Sequence, residues 1–223
     1  MSVIVLAGTI GAGKSSLTEI ISNHLGSKAF YESVDDNEVL PKFYANPEKY
    51  AFLLQIYFLN KRFASIKQAM QEDDNVLDRS IYEDSLLFHL NADLGRASDV
   101  EVRVYDNLLQ NMMEELPLAA NKKHPDLLVH IKVSFATMLN RIQKRGREFE
   151  QIEYDPTLYD YYQELNKRYD KWFDDYHESP KIQVDGDIDN FVEDPAARQR
   201  VIRMIDNKLL DIRGQEFPKS KAQ

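Results

Sequence analysis

The chain has 223 residues, 43% apolar and 29% charged, enough to bury the core of one medium domain. It contains no cysteine, which excludes disulfides and thiolate–zinc sites and fits a reducing compartment. A net charge of −9 without a long basic run argues against a nucleic-acid partner, and no apolar stretch reaches membrane length. The expectation is a soluble cytoplasmic protein acting on small molecules, with local arginines supplying positive charge.

Val3–Ala7 is a continuous apolar run, suited to a central parallel strand buried on both faces. A glycine turn follows at 8–13, then a helix over Lys14–Leu25 with Leu17, Ile20, Ile21 and His24/Leu25 on one side and Gly26 as its stop. A short strand is predicted at 29–32. Phe52, Ile56, Leu59, Phe63 and Ile66 recur at helical spacing within 47–72, and Asp74-Asn75 ends that helix before a strand at Val76-Leu77. Helical patterns return at 81–90 and 98–116, the second closed by Pro117. A buried strand is expected at 127–133 and a helix at 136–144, stopping at Gly146. A tyrosine-rich helix at 159–176 comes next, then a strand at 182–184, and 188–210 contains a closing helix. The tail after Arg213 reads as frayed. The alternation predicts one three-layer α/β domain spanning residues 1–223, with a mostly parallel sheet. The five histidines show no metal-binding spacing and read as surface or core imidazoles.

The most specific signal is Gly8-Thr9-Ile10-Gly11-Ala12-Gly13-Lys14-Ser15, which matches GxxxxGK[ST] between a buried strand and a helix. Glycines let successive backbone N–H groups curl toward phosphate oxygens, and the helix N-terminus adds its dipole. Lys14 is expected to reach the β- and γ-phosphates, and Ser15 to offer its hydroxyl to Mg2+, with Ser16 beside it. Such a loop defines a triphosphate donor site and leaves the acceptor open.

Three further groups bear on the acceptor. Glu32 lies at the carboxyl end of the second strand, where ligands of open α/β sheets bind; there it reads either as a base for an attacking hydroxyl or as an ordinary surface glutamate. In Asp78-Arg79-Ser80, the aspartate suits Mg2+ held through water and the arginine suits charge on a phosphoryl group; a capping Asp with a salt-bridging Arg is the plainer alternative. Arg141 and Arg145 share a helix face, and Arg147 continues past Gly146; the trio fits a lid over phosphates or a solvated basic face.

In this order the motifs resemble the deoxynucleoside kinases, particularly the bacterial deoxyadenosine/deoxyguanosine kinase branch, from Val3 to about Phe191. The likeness rests on the phosphate loop, Glu32, Tyr44 with Pro47, Glu48 and Gln55-x-Tyr57, Asp78-Arg79-Ser80 followed by Tyr82 and Asp84, and Arg141-x3-Arg145-Gly-Arg147-x2-Glu150. Ser33 departs from the family, many members of which carry proline there. The resemblance implies a P-loop kinase fold with a five-stranded parallel sheet and an arginine-bearing lid over about 141–155. It implies Glu32 as general base for the 5′-hydroxyl and Arg79 on that end of the substrate and the phosphoryl group. Tyr44 and Glu150 would hold the sugar 3′-hydroxyl, Gln55 would face the base, and Arg62 with Asp84 would sit near its exocyclic groups. A charged pair there argues against thymidine and suits a purine or deoxycytidine; it does not separate deoxyadenosine, deoxyguanosine and deoxycytidine, of which deoxyadenosine is the expectation.

The implied reaction moves the γ-phosphoryl of ATP, or another NTP, to a deoxynucleoside 5′-hydroxyl with Mg2+. A homodimer and feedback inhibition by a deoxynucleoside triphosphate are also implied, and the helices at 47–72 and 98–116 are long enough to form an interface. A nucleoside monophosphate kinase would need basic groups for the acceptor's own phosphate. A nucleotide switch would usually carry an NKxD segment, and Asn60-Lys61 is followed instead by Arg62-Phe63. The tyrosine cluster at 159, 161, 162, 169 and 176 reads as a face packed on the sheet rather than a base-stacking platform.

Overall fold

Alternation of side chains along the first strand sets the layering. In β1 (Val3–Ala7), every residue is buried. Ile4 and Leu6 pack on one side with Leu17 and Ile21 of α1 (Lys14–Leu25), while Val3, Val5 and Ala7 join the opposite core with Leu59 and Ile66 of α3 (Pro47–Ala69). A strand buried on both faces belongs at the centre of the sheet, and β1 lies there. The five strands run β2 (Ala29–Phe30), β3 (Asn75–Asp78), β1, β4 (Leu127–Lys132), β5 (Lys181–Asp185), all paired in parallel. The computed structural model describes residues 3–32, 36–119 and 124–216. Ser33 therefore lies outside the described residues, as does the tail beyond 216.

The helices cover both faces. On the α1 side lie α6 (Phe135–Arg145), α7 (Leu158–Asp175) and α8 (Pro195–Glu216), represented in the core by Met138, Tyr162 and Val201. On the α3 side lie α4 (Ile81–Asp93) and α5 (Asp99–Ala119), with Phe88, Tyr105 and Leu116 buried. Most of the tyrosine cluster packs inward as expected: Tyr161, Tyr162 and Tyr169 are buried, as is Tyr176 just beyond the helix; Tyr159 departs from this and is exposed, meeting Phe135 edge-on.

Several boundaries differ from the sequence expectation. The second strand pairs only over Ala29 and Phe30, so Tyr31 and Glu32 run past the sheet edge. The long helix ends at Ala69 rather than 72. A short helix, α2 (Leu40–Ala45), was not predicted: six residues are too few to display an amphipathic period. It is separated from α3 by Asn46, whose side chain caps the Lys49 N–H. Pro117 does not close α5, which runs on to Ala119; in a last turn the missing donor ends little that would have continued. Gly214 to Glu216 continue α8 rather than fraying.

His130 on β4 is buried against Tyr169 and Phe173, with Nδ1 3.0 Å from Gln183 Nε2. Burial pushes its pKa down to about 4. An unfolded histidine titrates near 6.5, so this neutral imidazole contributes stability above that pH and loses it as the pH falls toward 4. Urea denaturation should therefore show about 2 kcal/mol of stability lost between pH 7 and pH 5 that is absent in His130→Gln; equal pH dependence in both would contradict this.

Candidate active site

The phosphate loop takes the form its glycines permit. Gly13 adopts φ 101° at the N-cap of α1, and Gly8 adopts φ 147° at the end of β1. A Cβ on Gly8 would stand 2.7 Å from the Ile131 carbonyl oxygen, so β4 leaves no room for any other residue. Lys14 folds back into the loop, and its Nζ donates to the carbonyls of Gly8 and Thr9 at 2.8 and 2.9 Å. Burial, reinforced by nearby Arg79, lowers its pKa to about 8. Ser15 Oγ donates to Asp78 Oδ2 at 2.5 Å, and the buried Asp78 Oδ1 has no partner among the described residues.

The loop opens onto a cavity of about 780 Å3. Ile10, Gly11, Gly13, Lys14, Ser15 and Ser16 line it, whereas Gly8, Thr9 and Ala12 lie behind the wall. The Gly8 N–H donates to the buried Glu83 Oε1 at 3.0 Å rather than into the cavity.

At the carboxyl edge of the sheet the acceptor-side charges converge. Arg79 follows β3 with φ 82°, an uncommon conformation for a side-chain-bearing residue, and places Nε 2.9 Å from Glu32 Oε1. Arg62, from α3, donates Nη2 to the same carboxylate oxygen at 3.0 Å. Its Nε and Nη2 also grip Asp84 of α4 at 2.6 and 2.9 Å. Burial raises the Glu32 carboxyl, but Arg79, Arg62 and Lys14 outweigh it and hold the pKa at about 2. Burial pushes Asp84 up, against the pull of Arg62. Glu32 and Arg79 reach the cavity wall; Arg62 and Asp84 are buried behind it, paired with each other.

Further along the cavity, Tyr44 and Glu150 both line the wall. Arg145 pairs with Glu150, Arg147 Nη1 lies 3.6 Å from it, and Tyr162 donates to its backbone carbonyl at 3.0 Å. Gln55 is buried in the wall with Oε1 unpartnered among the described residues. Arg141, Arg145 and Arg147 all face the cavity, yet the guanidinium of Arg141 is already engaged, donating to the carbonyls of Ala12 at 2.8 Å and Gly186 at 2.7 Å.

Two contributors escaped the sequence reading. The cavity also presents Phe43, Leu54, Phe58, Leu87, Asn91 and Tyr161, an apolar slot with an amide. Nothing in their local pattern separates them from core positions. Glu83 was legible: Ser80-x-x-Glu83 is a capping box, and both of its reciprocal bonds form at the start of α4.

A glycine loop closed around a lysine, facing a strand-end carboxylate held by two arginines, is the working end of a P-loop phosphotransferase. The chain belongs to the deoxynucleoside kinase family, whose model, described as "Deoxynucleoside kinase", matches residues 4–211. It is 60% identical over 212 residues to a deoxyguanosine kinase of Lactobacillus johnsonii, covering 95% of this chain and 94% of that one. It is 54% identical over 212 residues to a deoxyadenosine kinase of Lactobacillus acidophilus, covering 95% and 98%. Its fold is similar to that of the deoxyadenosine kinase from M. mycoides with bound dATP, with TM-score 0.75 and 31% identity over 93% of this chain and 98% of that one. The protein is a deoxynucleoside kinase: it phosphorylates a deoxynucleoside at the expense of a nucleoside triphosphate.

Gly8→Ala should cost about 2 kcal/mol or more in urea denaturation, through the backbone contact and the positive φ together. Nucleotide binding measured by calorimetry should weaken with it; a variant of native stability would mean that β4 can yield.

Proposed function

We propose that the chain transfers the γ-phosphoryl group of ATP, or of another NTP, to the 5′-hydroxyl of a purine deoxynucleoside, with deoxyadenosine preferred. The observation that carries this reading is Glu32: a carboxylate reaching the cavity wall, pinned by Arg62 and Arg79, beside the loop that holds Lys14. A hydroxyl placed against Glu32 would be oriented toward the donor phosphates. With its pKa near 2, this carboxylate takes the proton only once bond formation to phosphorus has made the hydroxyl acidic, as a loose transition state allows. Lys14, Arg79, Arg145 and Arg147 would offset the charge on the phosphoryl oxygens, while Arg141 fixes the lid helix to the loop. Tyr44 and Glu150 would take the sugar 3′-hydroxyl.

Ser15 Oγ and the free oxygen of Asp78 form a hard-oxygen pair that suits Mg2+, through water on the Asp78 side. When bound, Mg2+ would neutralise charge on the triphosphate.

Base choice falls to Gln55. Its buried Oε1 calls for an N–H donor, which the 6-amino group of adenine supplies, while its amide N–H can donate to the adjacent ring nitrogen. The Arg62–Asp84 pair would border the base from behind. The relatives named for deoxyguanosine and deoxyadenosine support a purine acceptor.

The chain would act as one domain with residues 141–155 as its lid, in the cytoplasm where its substrates are; among the described residues no helix is long and apolar enough to cross a membrane. Val100, Val104 and Leu108 form an exposed row at four-residue spacing on α5, and this supports a homodimer. Sedimentation should give a dimer for the native chain and a monomer for Val104→Glu; a native monomer would remove the proposal.

ATP consumption measured against a panel of deoxynucleosides tests the reaction. It should depend on the acceptor, with kcat/KM highest for deoxyadenosine and lowest for thymidine. Glu32→Gln should lower turnover about 100-fold or more while ATP binding survives. Undiminished turnover would remove Glu32 from the mechanism, and acceptor-independent hydrolysis would point to a nucleotide switch instead.

A further inference from the structure

Glu83 is fully buried, and its two oxygens do different work. Oε2 accepts the Ser80 N–H at 2.7 Å, which completes the cap of α4. Oε1 accepts the Gly8 N–H at 3.0 Å and the Tyr169 hydroxyl at 2.8 Å. Neither of these bonds serves the helix. Tyr169, itself buried on α7, accepts from Arg79 Nη1 at 3.2 Å. One carboxylate oxygen thus joins the first residue of the donor loop, through a single phenol, to the arginine that holds Glu32.

Arg79 needs such support. Its φ of 82° is strained for a residue with a side chain, and strain of this kind persists only where the surroundings fix it. The Arg79 N–H is tied to the Leu6 carbonyl at 3.0 Å, and its Nη1 end to Tyr169. Burial, and next to it the charge of Glu83, keeps the Tyr169 phenol well above its ordinary pKa range, so it remains a neutral donor to the carboxylate and acceptor to the guanidinium.

We propose that Glu83 and Tyr169 are positioning residues that hold the donor loop at Gly8 and the acceptor arginine at Arg79 in one register, so that the phosphoryl group and the attacking hydroxyl are aligned by a shared buried anchor. This rests on the assignment of Arg79 to the acceptor end.

The test is a double-mutant cycle in the full-length enzyme, with kcat and both KM values measured for Arg79→Lys, Tyr169→Phe, Glu83→Gln and the pairwise combinations. Tyr169→Phe keeps the cap and the stacking on His130. It should lower kcat roughly fivefold, the scale of one lost hydrogen bond, with donor KM unchanged. In an Arg79→Lys background the same change should cost nothing further. Glu83→Gln should lower kcat roughly twentyfold and also raise donor KM, because the amide keeps only one acceptor oxygen where the carboxylate supplies two, to the Gly8 and Ser80 N–H groups. A merely structural role would lower thermal stability and the active fraction but leave kcat per active site intact. Full kcat in Tyr169→Phe, or losses that add to that of Arg79→Lys, would overturn the proposal; if Glu83→Gln does not fold, the Tyr169 cycle decides alone. Full kcat in Arg79→Lys by itself would instead remove the underlying assignment of that arginine.

Discussion

Three carboxylates and two guanidiniums share one small buried volume at the edge of the sheet, and the site depends on how they pair. Glu32 and Asp84 pair with Arg62 and Arg79, and Glu83 lies 3.9 Å from Arg79. Taking such ions out of water costs several kcal/mol each, which is recovered only where pairing is close and the remaining hydrogen-bonding capacity is met. The pairing here is close: Arg62 grips Asp84 with two nitrogens and still reaches Glu32. The arrangement fixes a carboxylate at the cavity wall in its ionised form without leaving it free to wander.

The fold supplies the coordinates for this pairing. Parallel strands place every carboxyl end on one edge, so Glu32 after β2 and Arg79 after β3 emerge beside the loop that follows β1. Arg62 and Asp84 then come from α3 and α4, two helices packed side by side on one face of the sheet. Four residues scattered over more than fifty positions become neighbours because adjacent strands and helices are neighbours. The strained backbone at Arg79 is the local cost of turning its side chain back toward Glu32.

Much of this was legible in the sequence, and the limits follow physical lines. The buried run Val3–Ala7, the glycine loop and the long apolar periodicity of α3 are local signals, and they gave the sheet, the donor site and most helices. The roles proposed for Tyr44, Gln55 and Glu150 came only through resemblance, since single polar residues carry no local mark. Contacts across long separations were unreadable: the Gly8 to Glu83 bond spans 75 positions, and Arg141 to Ala12 spans 129. For that reason the sequence did not reveal that Arg62 would grip Asp84 and reach across to Glu32. Glu83 alone was readable and passed over, because a capping box announces a helix start and says nothing of what its second oxygen will meet.

Arg141 has a mechanical consequence. A flap hinged at the base of its helix would have to order a long lever each time it shuts. Here the root of that lever is bolted to the carbonyls of Ala12 and Gly186, and the helix ends four residues later at Arg145, with Gly146 in a left-handed turn. In the proposed lid, only the stretch beyond that turn would swing. The entropy lost on shutting would then be confined to a short arm, on a pivot fixed to the phosphate loop, so its reach would be measured from the donor site.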